Sequence, residues 1–313
     1  MKSINILRRR SPGAGGSAPY GSHRYWRIYV TTNNGDATFI AINEVEMRLS
    51  AGGANQCSGG TAIRSSEQVG NEATKAFDSN LTNAWAPATN ANEWIGYDFG
   101  AGNAKAIAEV ALLCGNGGGA NIARSPKTGN VAYSDDGTTW TTAFSYTIQG
   151  WLSGENRVLP EATLAANTHR FWRVYVPTVN SSILTTLSEI EFRAAVSGAD
   201  QSPVCTTYDM GISGRTIQSS DNTGNESWRV FDSSVASGNG WAGNTAPQWV
   251  GFLFPVSGAL NVQEVLITTY SDSRWIPTAL NFDYSDDGVT WTTKRSVTGL
   301  SLSSSTAYAY STP

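Results

Sequence analysis

The chain has 313 residues and a net charge of −4, with 40% hydrophobic and 15% charged residues, 11 tryptophans, 32 glycines and 11 prolines. That much apolar and aromatic surface excludes a disordered chain, and the negative balance speaks against sequence-independent binding to nucleic acid. No apolar run reaches the ~18 residues of a membrane-spanning helix, and two histidines with three cysteines leave little for multi-histidine metal sites, histidine-based catalysis or a closed disulfide framework.

In chain order, Ile4, Ile6 and Leu7 come first, followed by Arg8, Arg9 and Arg10. Residues 11–22 read SPGAGGSAPYGS, a flexible linker by composition. No apolar stretch with a cleavage site follows the basic residues, so no secretory signal is read there. From His23 the chain repeats itself. HRYWRIYV at His23–Val30 returns as HRFWRVYV at His169–Val176, and NEVEMR at Asn43–Arg48 as SEIEFR at Ser188–Arg193. GNEATKAFD at Gly70–Asp78 returns as GNESWRVFD at Gly224–Asp232, EWIGYDFG as QWVGFLFP, and YSDDGTTW as YSDDGVTW. The order is the same throughout, which defines a tandem duplication.

Each block reads as a strand. YWRIYV and FWRVYV are aromatic and β-branched, EVEM and EIEF alternate with period two, and Gly, Asn or Ser clusters bound each run. The Asp-Asp-Gly at Asp135–Gly137 and Asp286–Gly288 predicts a tight hairpin. Eight tryptophans fall into matched pairs (26/172, 85/241, 94/249 and 140/291) and are assigned to two copies of one core. Trp151, Trp228 and Trp275 have no counterpart, so as loop aromatics they are candidate ligand contacts, with Arg274 beside Trp275 and the matched acids Glu72 and Glu226 on the expected binding rim. The expected architecture is all-β, with a tail at 1–22 and two sandwiches at 23–168 and 169–313.

The series AFD with Trp85, EWIGYDFG, AEVALL, SPKTGNVAYSDDGTTW, HRFWRVYV and LSEIEF resembles the discoidin domain, also called the coagulation-factor C-type or galactose-binding-like domain. The order holds from about Gly59 to Val196 and recurs from about Thr206 to the C-terminus. The resemblance implies jelly-roll sandwiches whose end loops bind sugars, lipid head groups or proteins, and the wording is most similar to versions carried on bacteriophage virion proteins. One departure stands out: the YWRIYV and NEVEM strands, last in the usual order, come first here. Either each unit is circularly permuted, or Gly59–Val196 is a usual-order domain and Thr206–Pro313 is completed by residues 23–50.

The resemblance also implies a structural Ca²⁺ loop at AFDSNLTNAW, with Asp78 as a side-chain ligand and Glu44 or Glu46 beside it. In the second copy it implies Asp232 with Glu189 or Glu191. Ser79 and Ser233 depart from the family's usual glycine. CGNGGGA matches a loose dinucleotide-loop pattern, but Asn121–Pro126 predicts no helix after it, so no nucleotide site is read there. No catalytic constellation emerges, and the expectation is a non-enzyme. The expected function is host or environmental glycan binding on a phage particle, anchored to other virion proteins through residues 1–22 and homo-oligomeric within the assembly. The alternatives are a purely structural virion adaptor and a glycan-binding accessory protein of a secreted system.

Overall fold

A computed structural model describes residues 20–116, 119–181 and 183–312, with the backbone alone at 119–121. The anchor residues Ile4, Ile6, Leu7, Arg8, Arg9 and Arg10 lie outside the described residues. The N-terminal half carries β1 (Tyr25–Asn33), β2 (Glu44–Arg48), β3 (Thr61–Arg64), β4 (Glu93–Asp98), β5 (Glu109–Cys114), β6 (Pro126–Ser134), β7 (Thr141–Thr147) and β8 (Glu155–Leu159). The C-terminal half carries β9 (Phe171–Val179), β10 (Thr185–Leu187), β11 (Glu189–Arg193), β12 (Arg215–Gln218) and β13 (Trp241–Gly243). It continues with β14 (Gln248–Leu253), β15 (Glu264–Thr268), β16 (Pro277–Ser285), β17 (Thr292–Thr298) and β18 (Ala307–Ser311).

The sheets follow the repeat. A five-stranded sheet β3-β4-β1-β6-β7 and a three-stranded sheet β2-β5-β8 form in the first half. Their counterparts in the second are β12-β14-β9-β16-β17 and β11-β15-β18, with an added ribbon β10-β13. β1 lies between β4 and β6, and β9 between β14 and β16. Residues 25–33 therefore hydrogen-bond with strands that follow them in their own half.

Period-two alternation explains the sandwich. In β1, Trp26, Ile28 and Val30 point inward, where they join Val45 and Met47 of β2 and Val110 and Leu112 of β5 in one buried cluster. Trp172, Val174 and Val176 repeat this in β9, against Ile190 and Phe192 of β11 and Val265 and Ile267 of β15. The three cysteines are buried free thiols.

Only four of the eight paired tryptophans lie in the core, against the expectation for all eight. Trp26, Trp85, Trp172 and Trp241 are fully buried. Trp94, Trp140, Trp249 and Trp291 are half-buried on the outer faces of the five-stranded sheets. There each pair sandwiches an arginine: the Arg27 guanidinium lies 4.1 Å from the Trp140 ring centre and 5.3 Å from that of Trp94. Arg173 lies at the same distances from Trp291 and Trp249. A duplicated tryptophan thus serves cation–π packing as readily as core packing.

The Asp-Asp-Gly turns form as expected. Asp136 Oδ1 accepts from the Thr138 and Thr139 amides at 2.7 Å, and Gly137 takes φ 75°. These amide bonds hold the Asp136 carboxyl well below its ordinary range, and the Val289 and Thr290 amides hold Asp287 at about 2. His23 and His169 each stack on the tyrosine that precedes this turn, Tyr133 and Tyr284, at 3.8 Å. Their Nδ1 atoms pair with Asp135 and Asp286, so both histidines pin a hairpin.

Candidate functional site

The loops beyond the C-terminal end of β1 enclose a cleft of ≈ 270 Å³. Its wall is rich in amides: Asn43, Gln68, Asn71, Asn83 and Asn116 line it together with Thr82, Phe39 and Arg124. Most of these amides are oriented by backbone partners. Asn43 Nδ2 donates to the Asn83 carbonyl at 2.9 Å, Gln68 Nε2 to the Pro87 carbonyl at 2.8 Å, and Asn116 Nδ2 to the Leu81 carbonyl. The Asn71 side chain has no hydrogen-bond partner among the described residues.

Arg124 ends a short helix, Gly119–Arg124, where the sequence had predicted none. Ser125 and Pro126 stop the helix after about one and a half turns. Asp36 Oδ2 accepts from Arg124 Nε at 3.1 Å, and the guanidinium lies 5.4 Å from the Phe39 ring centre. The result is an oriented cation at the mouth of a cleft with donors and acceptors in several directions, the pattern that recognises hydroxyl-rich ligands. The tryptophan-led reading missed this cleft. Its signal was the asparagine-rich stretch NLTNAW with the loop ahead of SPKTG.

The second half treats the same place differently. Trp275 stands two residues before Pro277, as Arg124 does before Pro126. Its ring lies 6.3 Å from that of Tyr270, whose hydroxyl donates to the Gly238 carbonyl at 3.1 Å. Trp275 Nε1 is buried without a hydrogen-bond partner among the described residues, while the exposed Arg274 lies over the ring at 5.0 Å and grips Asp272. Arg274 and Trp275 are thus brought together at a loop tip.

The other candidates are placed elsewhere. Trp151 is fully buried and donates Nε1 to the Pro126 carbonyl at 2.7 Å, so it presents no face to a ligand and is withdrawn as a contact. Trp228 lies half-buried on the 3₁₀ turn Ser227–Phe231, with the Arg229 guanidinium 4.7 Å over its ring. Glu72 and Glu226 accept from the Gly70 and Gly224 amides at 2.8 Å and pair with Lys75 and Arg229. They close their own turns.

Two carboxylates gather at each implied cation loop. Asp78 accepts from the Asn80 amide and Asn83 Nδ2, and Ser79 takes φ 61° so that its amide reaches Glu44 Oε2 at 3.1 Å. Glu44 Oε1 is buried with no hydrogen-bond partner among the described residues. Burial, with Asp78 nearby, pushes the Glu44 carboxyl up to about 7. In the second half Ser233 takes φ 59°, Glu189 Oε2 is the orphan, and burial beside Asp232 pushes Glu189 up to about 9.

Glu46 and Glu191 turn away to Arg48 and Arg193 and do not join these pairs. Among the described residues no group of three or more His, Cys, Asp or Glu side chains is placed to hold a metal. An orphaned carboxylate oxygen facing a second carboxylate nevertheless suits a hard cation whose remaining ligands are carbonyls. Glu44 with Asp78, and Glu189 with Asp232, fit such an ion.

An all-β sandwich carrying its polar cleft in end loops has the form of a binding module. Comparison with known families gives the same class: an F5/8 type C (discoidin) domain is found at residues 61–188. Neither the curated proteins nor the solved structures contain a match to the chain. The matched range includes β9, although β9 pairs with β14 and β16; beside β4 that position is held by β1.

Proposed function

We propose that the protein is a non-enzymatic glycan-binding protein of a bacteriophage virion, built from two tandem, circularly permuted discoidin-like units at 23–168 and 169–313. The pairing of β1 with β4 and β6 favours permutation over completion of the C-terminal unit by residues 23–50. The observation that carries the function is the amide-lined cleft with the Asp36-oriented Arg124 at its mouth. Arg274 and Trp275 form the corresponding rim of the second unit, where a stacked ring replaces the arginine. Sugar rings meet such sites through hydroxyl hydrogen bonds and apolar faces.

The virion setting rests on the wording of the repeated blocks, with residues 1–22 as the anchor to other virion proteins and a homo-oligomeric arrangement in the assembly. Ca²⁺ at Glu44–Asp78 and Glu189–Asp232 would stiffen the loops beside each rim.

Titration of the full chain against a panel of neutral oligosaccharides tests the function. Binding should weaken about tenfold in Asn71→Ala and in Arg124→Ala, the loss expected for one hydrogen bond to a charged or polar group. If no saccharide binds the native protein, the structural adaptor reading replaces this one.

A further inference from the structure

A second cavity, ≈ 400 Å³, opens at the far end of β16 from Trp275, between His169, Asn261, Gln263, Tyr284 and Lys294. Lys294 enters it because the β16–β17 ladder slips there: Phe282 pairs with Arg295 and Asp283 with Thr293, leaving Lys294 on the bulge. Its ammonium lies 5.6 Å from the Trp172 ring centre and donates to Asn261 Oδ1 at 3.0 Å and the Val262 carbonyl at 2.8 Å. Both acceptors are neutral.

Burial lowers the Lys294 pKa with no acid countering it. The acids nearby are already taken: Asp286 pairs with His169, and Asp283 with Arg173 and Thr293. Two of the three ammonium donors are therefore used, and among the described residues the charge has no counterion. Around it, the side chains of Asn167 and Gln263 have no hydrogen-bond partner among the described residues, and the stacked His169–Tyr284 pair forms a flat wall.

The first half shows that the fold does not require this cavity. Ala143 occupies the matching bulge, between the pairs Val131–Phe144 and Ala132–Thr142. The Trp26 ring is covered there by Tyr20, 6.4 Å away, whose ring also packs on Phe144 and whose carbonyl bonds His23 Nε2. Three residues before His169 stands Ala166, which leaves the corresponding space open.

We propose that the Lys294 cavity is a separate binding site for a sugar acid of the hexuronate class. Lys294 would meet the carboxylate, Asn167 and Gln263 the ring hydroxyls, and the His169–Tyr284 wall one face of the ring. A single uncompensated cation suits a monoanion, and the surrounding amides add the polar contacts that a bare anion would not use. The volume falls within the range of small-molecule pockets.

Calorimetric titration of the full chain with D-glucuronate, D-glucose and acetate tests this. Glucuronate should bind at least tenfold more tightly than either control, and Lys294→Met should weaken it about tenfold or more. Arg124→Ala should leave it unchanged, so that this site and the amide cleft fail independently. If Lys294→Met lowers the melting temperature, Gln263→Ala supplies the second reading, with a severalfold weakening expected. Unchanged glucuronate affinity in the folded variants, or no glucuronate binding by the native chain, overturns the proposal. So does acetate binding as tightly as glucuronate, which would leave a simple anion site, or loss of glucuronate binding in Arg124→Ala, which would put the ligand in the other cleft.

Discussion

The arginine that follows each repeated histidine has opposite duties in the two halves. Arg24 stays at the surface and forms a two-pronged pair with Asp98 of its own sheet, at 2.7 and 2.8 Å. Its counterpart Arg170 is buried and reaches across the chain. It donates to the Phe254 carbonyl in its own half, and to the Gln149 and Gly150 carbonyls of the other, all at 2.9 Å. Glu155, also buried, lies 3.4 Å from it. The neighbours changed with it: Tyr25 pairs in register with Asp98, and Phe171 with Leu253.

Phe171 and Leu253 pack on Leu152, with Ile217 and Trp291 around them, to form a small apolar cluster between the halves. One copy's sheet end became a junction, while the other is closed by a surface ion pair. Duplicated positions keep the fold, and exchanges of a few side chains decide what each end does.

Arg170→Ala should break this contrast most severely. It takes the side-chain donor from the Gly150 and Phe254 carbonyls and leaves Glu155 and the Gln149 carbonyl with Arg157 as their side-chain donor, an expected loss of roughly 3–5 kcal/mol, visible as a lowered or split thermal transition. Arg24→Ala, at an exposed pair, should move the melting temperature by no more than about 2 °C; equal effects would deny the junction. Next comes the division among the tryptophans. Trp172→Ala empties a core site and should cost about 3–5 kcal/mol, whereas Trp94→Ala removes one half-exposed arginine contact and should cost about 1–2 kcal/mol. Denaturant midpoints for the two variants measure the difference.

A pH-dependent effect concerns the raised carboxyls. In the folded state Glu44 holds its proton up to about 7 and Glu189 up to about 9, against an ordinary 4.5. The folded chain therefore binds more protons than the unfolded one within those windows, and stability falls as pH rises through them. With chelator present, the melting temperature should fall by at least several degrees between pH 5 and pH 8.5. Glu189→Gln should flatten the upper part of that fall and Glu44→Gln the lower. Added Ca²⁺ should reverse it at pH 8.5 in the native chain and only in part in either variant.

Much of the strand pattern was legible because side-chain period and turn chemistry are local properties. The alternation in YWRIYV and EVEM, and the Asp-Asp-Gly hairpins, appear in the structure where the residues predict them. The binding surfaces were less legible. Trp151 was singled out because it lacks a counterpart, yet an unmatched residue can be as buried as a matched one. Trp94 and Trp140 are matched in both halves yet lie outside, because the repeat preserves outer-face packing as well as core packing. The amide cleft and the Lys294 cavity escaped notice because asparagine and lysine are common surface residues, and nothing local marks those that converge.

By itself, the sequence determined the all-β character and the repeated blocks in their order along the chain, since these depend on periodicity and repetition. The tertiary structure alone decided that β1 sits between β4 and β6, that Arg170 is a clasp and Arg24 a surface pair, and that Lys294 has no counterion among the described residues. Each of these depends on groups far apart in sequence sharing a site screened from water, where burial and pairing set the energy.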